Sequence, residues 1–277
     1  MALNPVESGS GTNLKMLDYL ASGIPTITTT VGARGLDIPC DMIVTCEKEE
    51  MKNHLDDKPI KSPESIRKYI HNQFDWSHIS EKYFDSALAQ YKNKIVVVNT
   101  YSVYPPRGGG QNRIYYIYKE IAKRVPVTII SIVPPHGEPG VKEIAPGLTQ
   151  ISICKTSDHV ATEMQLEETT GANLGDVSVM LHHEKTPEFL QTIIHEADDA
   201  DVVVCSHSYC ISAIHGHIDK PIIYESHNVE YLLKQQMYDH DKCSDILQHV
   251  YDHELSLIHI SEPTRRTPIS YAVFCLK

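Results

Sequence analysis

Lys94-Ile95-Val96-Val97-Val98-Asn99, followed by Tyr104-Pro105-Pro106-Arg107-Gly108-Gly109-Gly110-Gln111, is the stretch that decides the fold class. Residues 95–98 are an unbroken run of β-branched apolar side chains. Such a run predicts a strand covered on both faces, as strands of parallel sheets are. The Pro/Gly run turns the chain, and residues 111–123 carry a helical pattern. Strand, glycine-rich loop, helix is the opening of a doubly wound α/β sheet. Downstream, residues 127–133, 150–154, 201–205 and 221–224 predict further strands, and residues 187–197 a helix. The polar residues 155–175 predict a loop that interrupts the middle of this domain.

Upstream the alternation is thinner. Residues 1–94 open without a strand of their own. Asn4-Pro5 leads into Glu7-Ser8-Gly9-Ser10-Gly11-Thr12-Asn13, then a helix with Leu14, Leu17, Leu20 and Ala21 on one face. Ser22-Gly23-Ile24-Pro25 stops that helix. Residues 26–29 and 42–44 predict short strands, and residues 63–94 two helices broken around Asp75-Trp76-Ser77. Residues 1–94 therefore read as the last part of one α/β domain, and residues 95–254 as the first part of another.

Composition narrows the function. A formal charge of −11 excludes a general nucleic-acid binder, which needs a basic face. No apolar run approaches the roughly 20 residues that span a bilayer, and no basic amphipathic helix stands out. Seven cysteines with no C-x-x-C pair argue against a zinc ribbon or a disulfide scaffold and for reduced thiols in the cytoplasm. His182-His183 and His215-x-His217 lack an accompanying Cys or carboxylate ligand set, so no metal is expected. His249 and His253 read as part of a polar stretch with Tyr251 and Asp252.

Both glycine loops open helices, where free amides and the positive helix end favour an anion such as a phosphate. Gly9-Ser10-Gly11-Thr12-Asn13-Leu14 and Gly108-Gly109-Gly110-Gln111-Asn112-Arg113 each lack the third glycine of the dinucleotide fingerprint. That counts against a nucleotide-dependent oxidoreductase. No G-K-[ST] follows either loop, which excludes a P-loop.

The surroundings of these loops carry a resemblance. Residues 2–36, with their Gly9-Ser10-Gly11-Thr12-Asn13 loop and Ala21-Ser22-Gly23-Ile24-Pro25 stop, resemble the donor-binding domain of group 1, family 4-type glycosyltransferases. The likeness continues to Trp76. These enzymes have the GT-B fold, two facing Rossmann-like halves. The resemblance implies that Gly9, Ser10, Gly11, Thr12 and Asn13 hold the donor diphosphate, that Lys15 contacts a phosphate, and that Asp18 binds the nucleotide ribose. The family commonly has a glutamate where Ser10 stands. Val103-Tyr104-Pro105-Pro106-Arg107-Gly108-Gly109-Gly110, the strand end at Ser206-His207 and Glu225-Ser226-His227-Asn228 resemble the opposite, acceptor-side half. By that likeness Gly108, Gly109, Gly110, His207 and Asn228 line a cleft, and His227 is the catalytic residue beside the donor sugar.

What the resemblance implies is a retaining transferase that moves a sugar from a nucleotide-sugar donor to the hydroxyl of a glycan or lipid-linked acceptor, without a metal or other cofactor. Its location is then cytoplasmic, with peripheral contact at the inner face of a membrane. Donor half before acceptor half is the reverse of the usual order. A tandem protein, a circular permutant or a faulty join each accounts for it, the tandem fragment first. In a tandem fragment neither active site is complete, and the chain itself is inactive. The alternative class is a non-catalytic nucleotide- or sugar-binding Rossmann-like module. Residues 255–265 and 269–276 resemble the in-frame translation of the two constant blocks of a transposon-type sequencing adapter, with Arg266-Thr267-Pro268 where the variable index falls.

Overall fold

The computed structural model describes residues 1–8, 13–57, 61–263 and 272–276, the last stretches from residue 258 onward by their backbone alone. The chain divides into two compact units, Met1–Ile79 and Ser80–Lys277. Both are α/β with parallel pairing dominant, as the strand–loop–helix alternation requires.

In the first unit, β1 (Ala2–Asn4), β2 (Thr26–Thr28) and β3 (Val44–Thr45) form a parallel sheet in that order. β1 corrects the expectation that this segment opens without a strand. Three residues ahead of a proline are too few to show a period. What holds them is the buried Asn4 side chain, whose amide donates to Thr28 Oγ1 (2.9 Å) and the Gly32 carbonyl (3.3 Å). The helix α1 (Leu14–Ala21) ends where Gly23 takes φ +70°. The short helix α2 (Thr30–Ala33) is capped by Thr29, whose hydroxyl accepts the Gly32 amide at 2.9 Å. α3 (Pro63–Phe74) starts at its cap Ser62 and buries Ile66 and Ile70 against Met16, Leu20, Met42 and Ile43. Met42 and Ile43 are thus core residues just ahead of β3, which begins two residues later than expected.

α4 (Trp76–Tyr83) runs across the division in sequence. The second unit then lays down β4 (Ile95–Asn99), α5 (Gly109–Ile121), β5 (Val127–Val133), β6 (Gly140–Ala145) and β7 (Leu148–Cys154). α6 (Ser157–Thr170), α7 (Gly175–His182), α8 (Pro187–Ala197) and β8 (Val202–Cys205) follow, then α9 (Ile211–Ile214), β9 (Ile222–Ser226), α10 (Glu230–Met237) and α11 (Ser244–Ile260). β10 (Ser261–Pro263) and β11 (Ala272–Leu276) are the last described strands. The sheet order is β10-β11-β9-β8-β4-β5-β7-β6. Its middle five strands, β9-β8-β4-β5-β7, are all parallel. Ranked by their appearance in the chain, they run 5-4-1-2-3, the Rossmann arrangement.

β4, β5 and β8 are buried along their whole length, which is why they read as unbroken apolar runs. α5 turns Ile114, Ile117, Tyr118 and Ile121 inward, and α8 contributes Phe189, Ile193 and Ala197 to the core. β6 pairs antiparallel on the edge and carries exposed Val141, Lys142 and Glu143. It turns into β7 at Gly147, where φ is +74° and a Cβ would come within 2.8 Å of the Ala122 carbonyl.

One expected loop is a helix. α6 occupies most of residues 155–175, with Thr156 as its cap and Gly171 in the left-handed conformation (φ +70°) at its end. It gave no amphipathic signal because it is held by buried polar groups. Lys155 reaches the Glu163 carboxylate, the Gly175 carbonyl (2.8 Å) and Ser178 Oγ (3.0 Å). Fully buried His159 bonds Thr186 Oγ1 (2.8 Å) and Ser178 Oγ (3.3 Å).

Candidate functional site

In an open parallel sheet, ligands sit outside the carboxyl ends of the strands, at the point where strand order reverses. Here that point lies between β4 and β8, the first and fourth parallel strands. The chain leaves β4 through Asn99-Thr100-Tyr101 and β8 through Ser206-His207, while the neighbouring β9 delivers Glu225, Ser226, His227 and Asn228. Ser206 is fixed at this crossing, its amide and hydroxyl both donating to the Val98 carbonyl, at 3.0 and 3.1 Å.

The loop after β4 is held by two glutamines. Gln150 Oε1 accepts the amides of Val103 (2.9 Å) and Tyr104 (3.0 Å). Gln111 Oε1 accepts those of Arg107 and Gly108, both at 2.9 Å, and its Nε2 donates to the Ser102 carbonyl (2.8 Å). These bonds consume the amides of Arg107 and Gly108. The amides of Gly109, Gly110 and Gln111 belong to the first turn of α5, which lacks intrahelical acceptors.

At the strand ends lie two histidines, two carboxylates and an arginine. The His207 and His227 rings meet edge to face, with centroids 4.6 Å apart. Tyr101 Oη is 3.1 Å from His207 Nε2. His207 Nδ1 faces Glu230 Oε1 at 3.7 Å, and His227 Nε2 faces Glu225 Oε1 at 3.7 Å. Both separations exceed a direct hydrogen bond, and both ring nitrogens are buried without a hydrogen-bond partner. Glu225 accepts from Tyr118 Oη (2.8 Å) and Arg113 Nη2 (3.1 Å). Glu230 accepts from Tyr209 Oη (3.0 Å) and, at its other oxygen, Asn228 Nδ2 (3.4 Å). Lys234 stands 3.7 Å from Asp176, which also accepts from Thr100 Oγ1 at 2.9 Å.

Burial works to raise the Glu225 carboxyl, but His227, Arg113 and the Tyr118 hydroxyl outweigh it and hold it at about 2. Glu230 is likewise held at about 2, burial being overcome by His207, Tyr209 and Lys234. Burial pushes His227 down to about 4, helped by the neighbouring His207 and Arg113, so the ring is neutral at pH 7. Burial pushes the Tyr101 phenol up, so it stays a hydroxyl. The site therefore combines neutral imidazole, fixed anions and a guanidinium in a nearly dry setting. Such a setting can orient a polar ligand and accept or pass a proton.

The structure brings His207, His227 and Asn228 together, and it places Gly110 against Tyr101 beside them. Gly108 and Gly109 are exposed at the start of α5. In the first unit, Asn13 precedes α1 and donates to Asn4 Oδ1 (2.7 Å), while Lys15 and Asp18 lie three residues apart on the exposed face of α1. Gly9, Ser10, Gly11 and Thr12 lie outside the described residues.

Sequence reasoning missed Glu225, Glu230, Arg113 and Tyr101. A usable signal existed for Glu225, a carboxylate two residues before His227 at the end of a strand, where alternate residues share a face. His253, read as part of a polar stretch, is instead turned inward, its Nε2 2.8 Å from the Ser208 carbonyl. Its neighbour Glu254 accepts the amides of Glu230 (2.8 Å) and Tyr231 (2.9 Å), closing the start of α10.

Among the described residues no three His, Cys, Asp or Glu side chains gather as a metal site. No helix among them is long and apolar enough to cross a membrane. Compared with known proteins, the chain matches no family model, no curated protein and no solved structure.

Proposed function

We propose that the second unit is the acceptor-side half of a retaining glycosyltransferase and the first unit the closing part of a donor-binding half. Together with their missing counterparts, such halves move a sugar from a nucleotide-sugar donor to the hydroxyl of a glycan or lipid-linked acceptor. The observation that carries this reading is the pairing of His227 with His207 at the switch point of a Rossmann-ordered sheet. Transfer of this kind needs the departing diphosphate stabilised by amides and cations, a form of electrostatic catalysis. The first turn of α5 offers amides, and Arg113 a cation one turn further along. In the same reading residues 255–277 are adapter-derived, and the chain alone does not turn over.

The test is calorimetric titration of the 277-residue chain with UDP-, GDP- and ADP-sugars. One of them is expected to bind, and Asp18→Ala to weaken it at least about tenfold, or about 1.4 kcal/mol, while His227→Ala leaves nucleotide binding alone. Binding of none of them, or tighter binding of a nicotinamide dinucleotide, removes the transferase reading. Binding without any transfer once the missing halves are supplied leaves a sugar-nucleotide-binding module.

A further inference from the structure

The two imidazoles at the strand ends differ in which nitrogen faces a carboxylate. His207 presents Nδ1 to Glu230, and His227 presents Nε2 to Glu225. We infer that Glu230 and Glu225 are positioning residues that hold the rings of His207 and His227 in opposite tautomers, Nδ1–H for His207 and Nε2–H for His227.

The argument is one of donors and acceptors. An ionised carboxylate only accepts, and Tyr and Arg side chains at these distances are donors to it. Glu225 takes Tyr118 Oη at one oxygen and Arg113 Nη2 at the other. Its Oε1 therefore turns a lone pair toward His227 Nε2. The His227 side chain is 6% exposed and that of Glu225 2%. A bare nitrogen lone pair opposed to a carboxylate there is repulsive and beyond the reach of bulk water, so Nε2 carries the proton. Nδ1 of His227 is left as the accepting nitrogen.

Glu230 repeats the arrangement with the ring turned round. Tyr209 Oη and Asn228 Nδ2 donate to its two oxygens, and Lys234 supports its charge. The His207 side chain is 10% exposed and that of Glu230 4%. With the proton on Nδ1, His207 Nε2 is an acceptor, and the Tyr101 hydroxyl donates to it across 3.1 Å. The hydroxyl of Tyr101, the ring of His207, the carboxylate of Glu230 and the hydroxyl of Tyr209 then form one ordered line. Which ring nitrogen is protonated follows from what the other nitrogen meets, and each ring here has its answer fixed by a different element. Glu225 comes from the end of β9, and Glu230 from the first residue of α10.

This inference does not depend on the transferase reading. The experiment is long-range 1H–15N correlation on the full chain labelled with 15N-histidine, at a pH slightly above 7. His227 is expected as the Nε2–H tautomer and His207 as the Nδ1–H tautomer. In Glu230→Gln, whose amide can donate or accept, His207 is expected to lose its preference while His227 keeps its own. Glu225→Gln is expected to do the reverse. Tyr101→Phe removes a donor and is expected to leave His207 as Nδ1–H. Two rings in the same tautomer, a doubly protonated His207, or spectra unmoved by either glutamine variant overturn the inference. Should a glutamine variant fail to fold, the wild-type and Tyr101→Phe spectra decide it.

Discussion

Gly110 has no room for a side chain. A Cβ there would collide with Tyr101 Oη and lie 3.4 Å from the ring carbon that bears it, Cζ. Gly110→Ala is expected to cost about 1–3 kcal/mol by overpacking and to push Tyr101 off His207. In a Tyr101→Phe background the close contact is gone, so the same change should cost about 1 kcal/mol less, a coupling that urea unfolding of the four proteins measures. An additive result would show that something other than Tyr101 demands the glycine. The pH dependence also belongs to single residues. Burial, and then the charge of Lys155, push His159 down to about 4 from 6.5, and His227 is likewise at about 4. Their folded pKa values lie below the unfolded ones, so the folded state favours the neutral rings. The stability they confer is whole above pH 6.5 and lost as pH falls toward 4, on the order of 3 kcal/mol for each ring. Glu225 and Glu230, depressed from 4.5 to about 2, extend the loss below pH 4.5. Urea unfolding between about pH 7.5 and 4 should show stability falling from about pH 6.5, with a shallower slope in His159→Gln. A flat profile down to pH 5 would contradict the neutral histidines.

Elements show where the sequence was and was not legible. β5 and α8 could be bounded to the residue because Val127, Ile129 and their neighbours are apolar throughout and Pro187 marks a helix start. That His207 and His227 stand at the carboxyl ends of strands was legible too, because each closely follows an apolar β-branched run. α6 was not, since Lys155, Glu163, Ser178 and His159 fasten it through polar bonds that leave no apolar stripe. Glu163→Ala leaves the Lys155 ammonium, 5% exposed, without its anion, and about 3–5 kcal/mol of stability should be lost. Replacing both, as Lys155→Met with Glu163→Leu, should recover much of it; urea midpoints distinguish the two. The start of α10 was equally hidden, because its closing carboxylate comes from Glu254, 24 residues along the chain. Glu254→Ala should cost about 1–2 kcal/mol and speed amide exchange in α10 more than in β4 or β5.

For the whole molecule, the open question is which strands the second sheet requires. Among the residues whose side chains are described, the core of this sheet is built by the parallel strands and the helices on them, with Leu257 of α11 also buried at 3% exposure. β11 pairs antiparallel with β9, Phe274 opposite Tyr224. β11 is held by backbone pairing with β9 and β10, bonds that water can replace once the segment is gone. Ending the chain after Ile260 keeps Leu257 and removes β10 and β11. Thermal unfolding of that shortened chain should stay cooperative, with a midpoint within about 4 °C of the parent, equivalent to about 1 kcal/mol in a domain of this size. Ending it after Glu254 also removes Leu257 and should cost about 1–3 kcal/mol more, since a buried leucine is lost. The order of the two truncations is the decisive result. If the cut after Ile260 abolishes cooperative unfolding, β10 and β11 are integral to the sheet, and the adapter reading proposed for this segment is refuted.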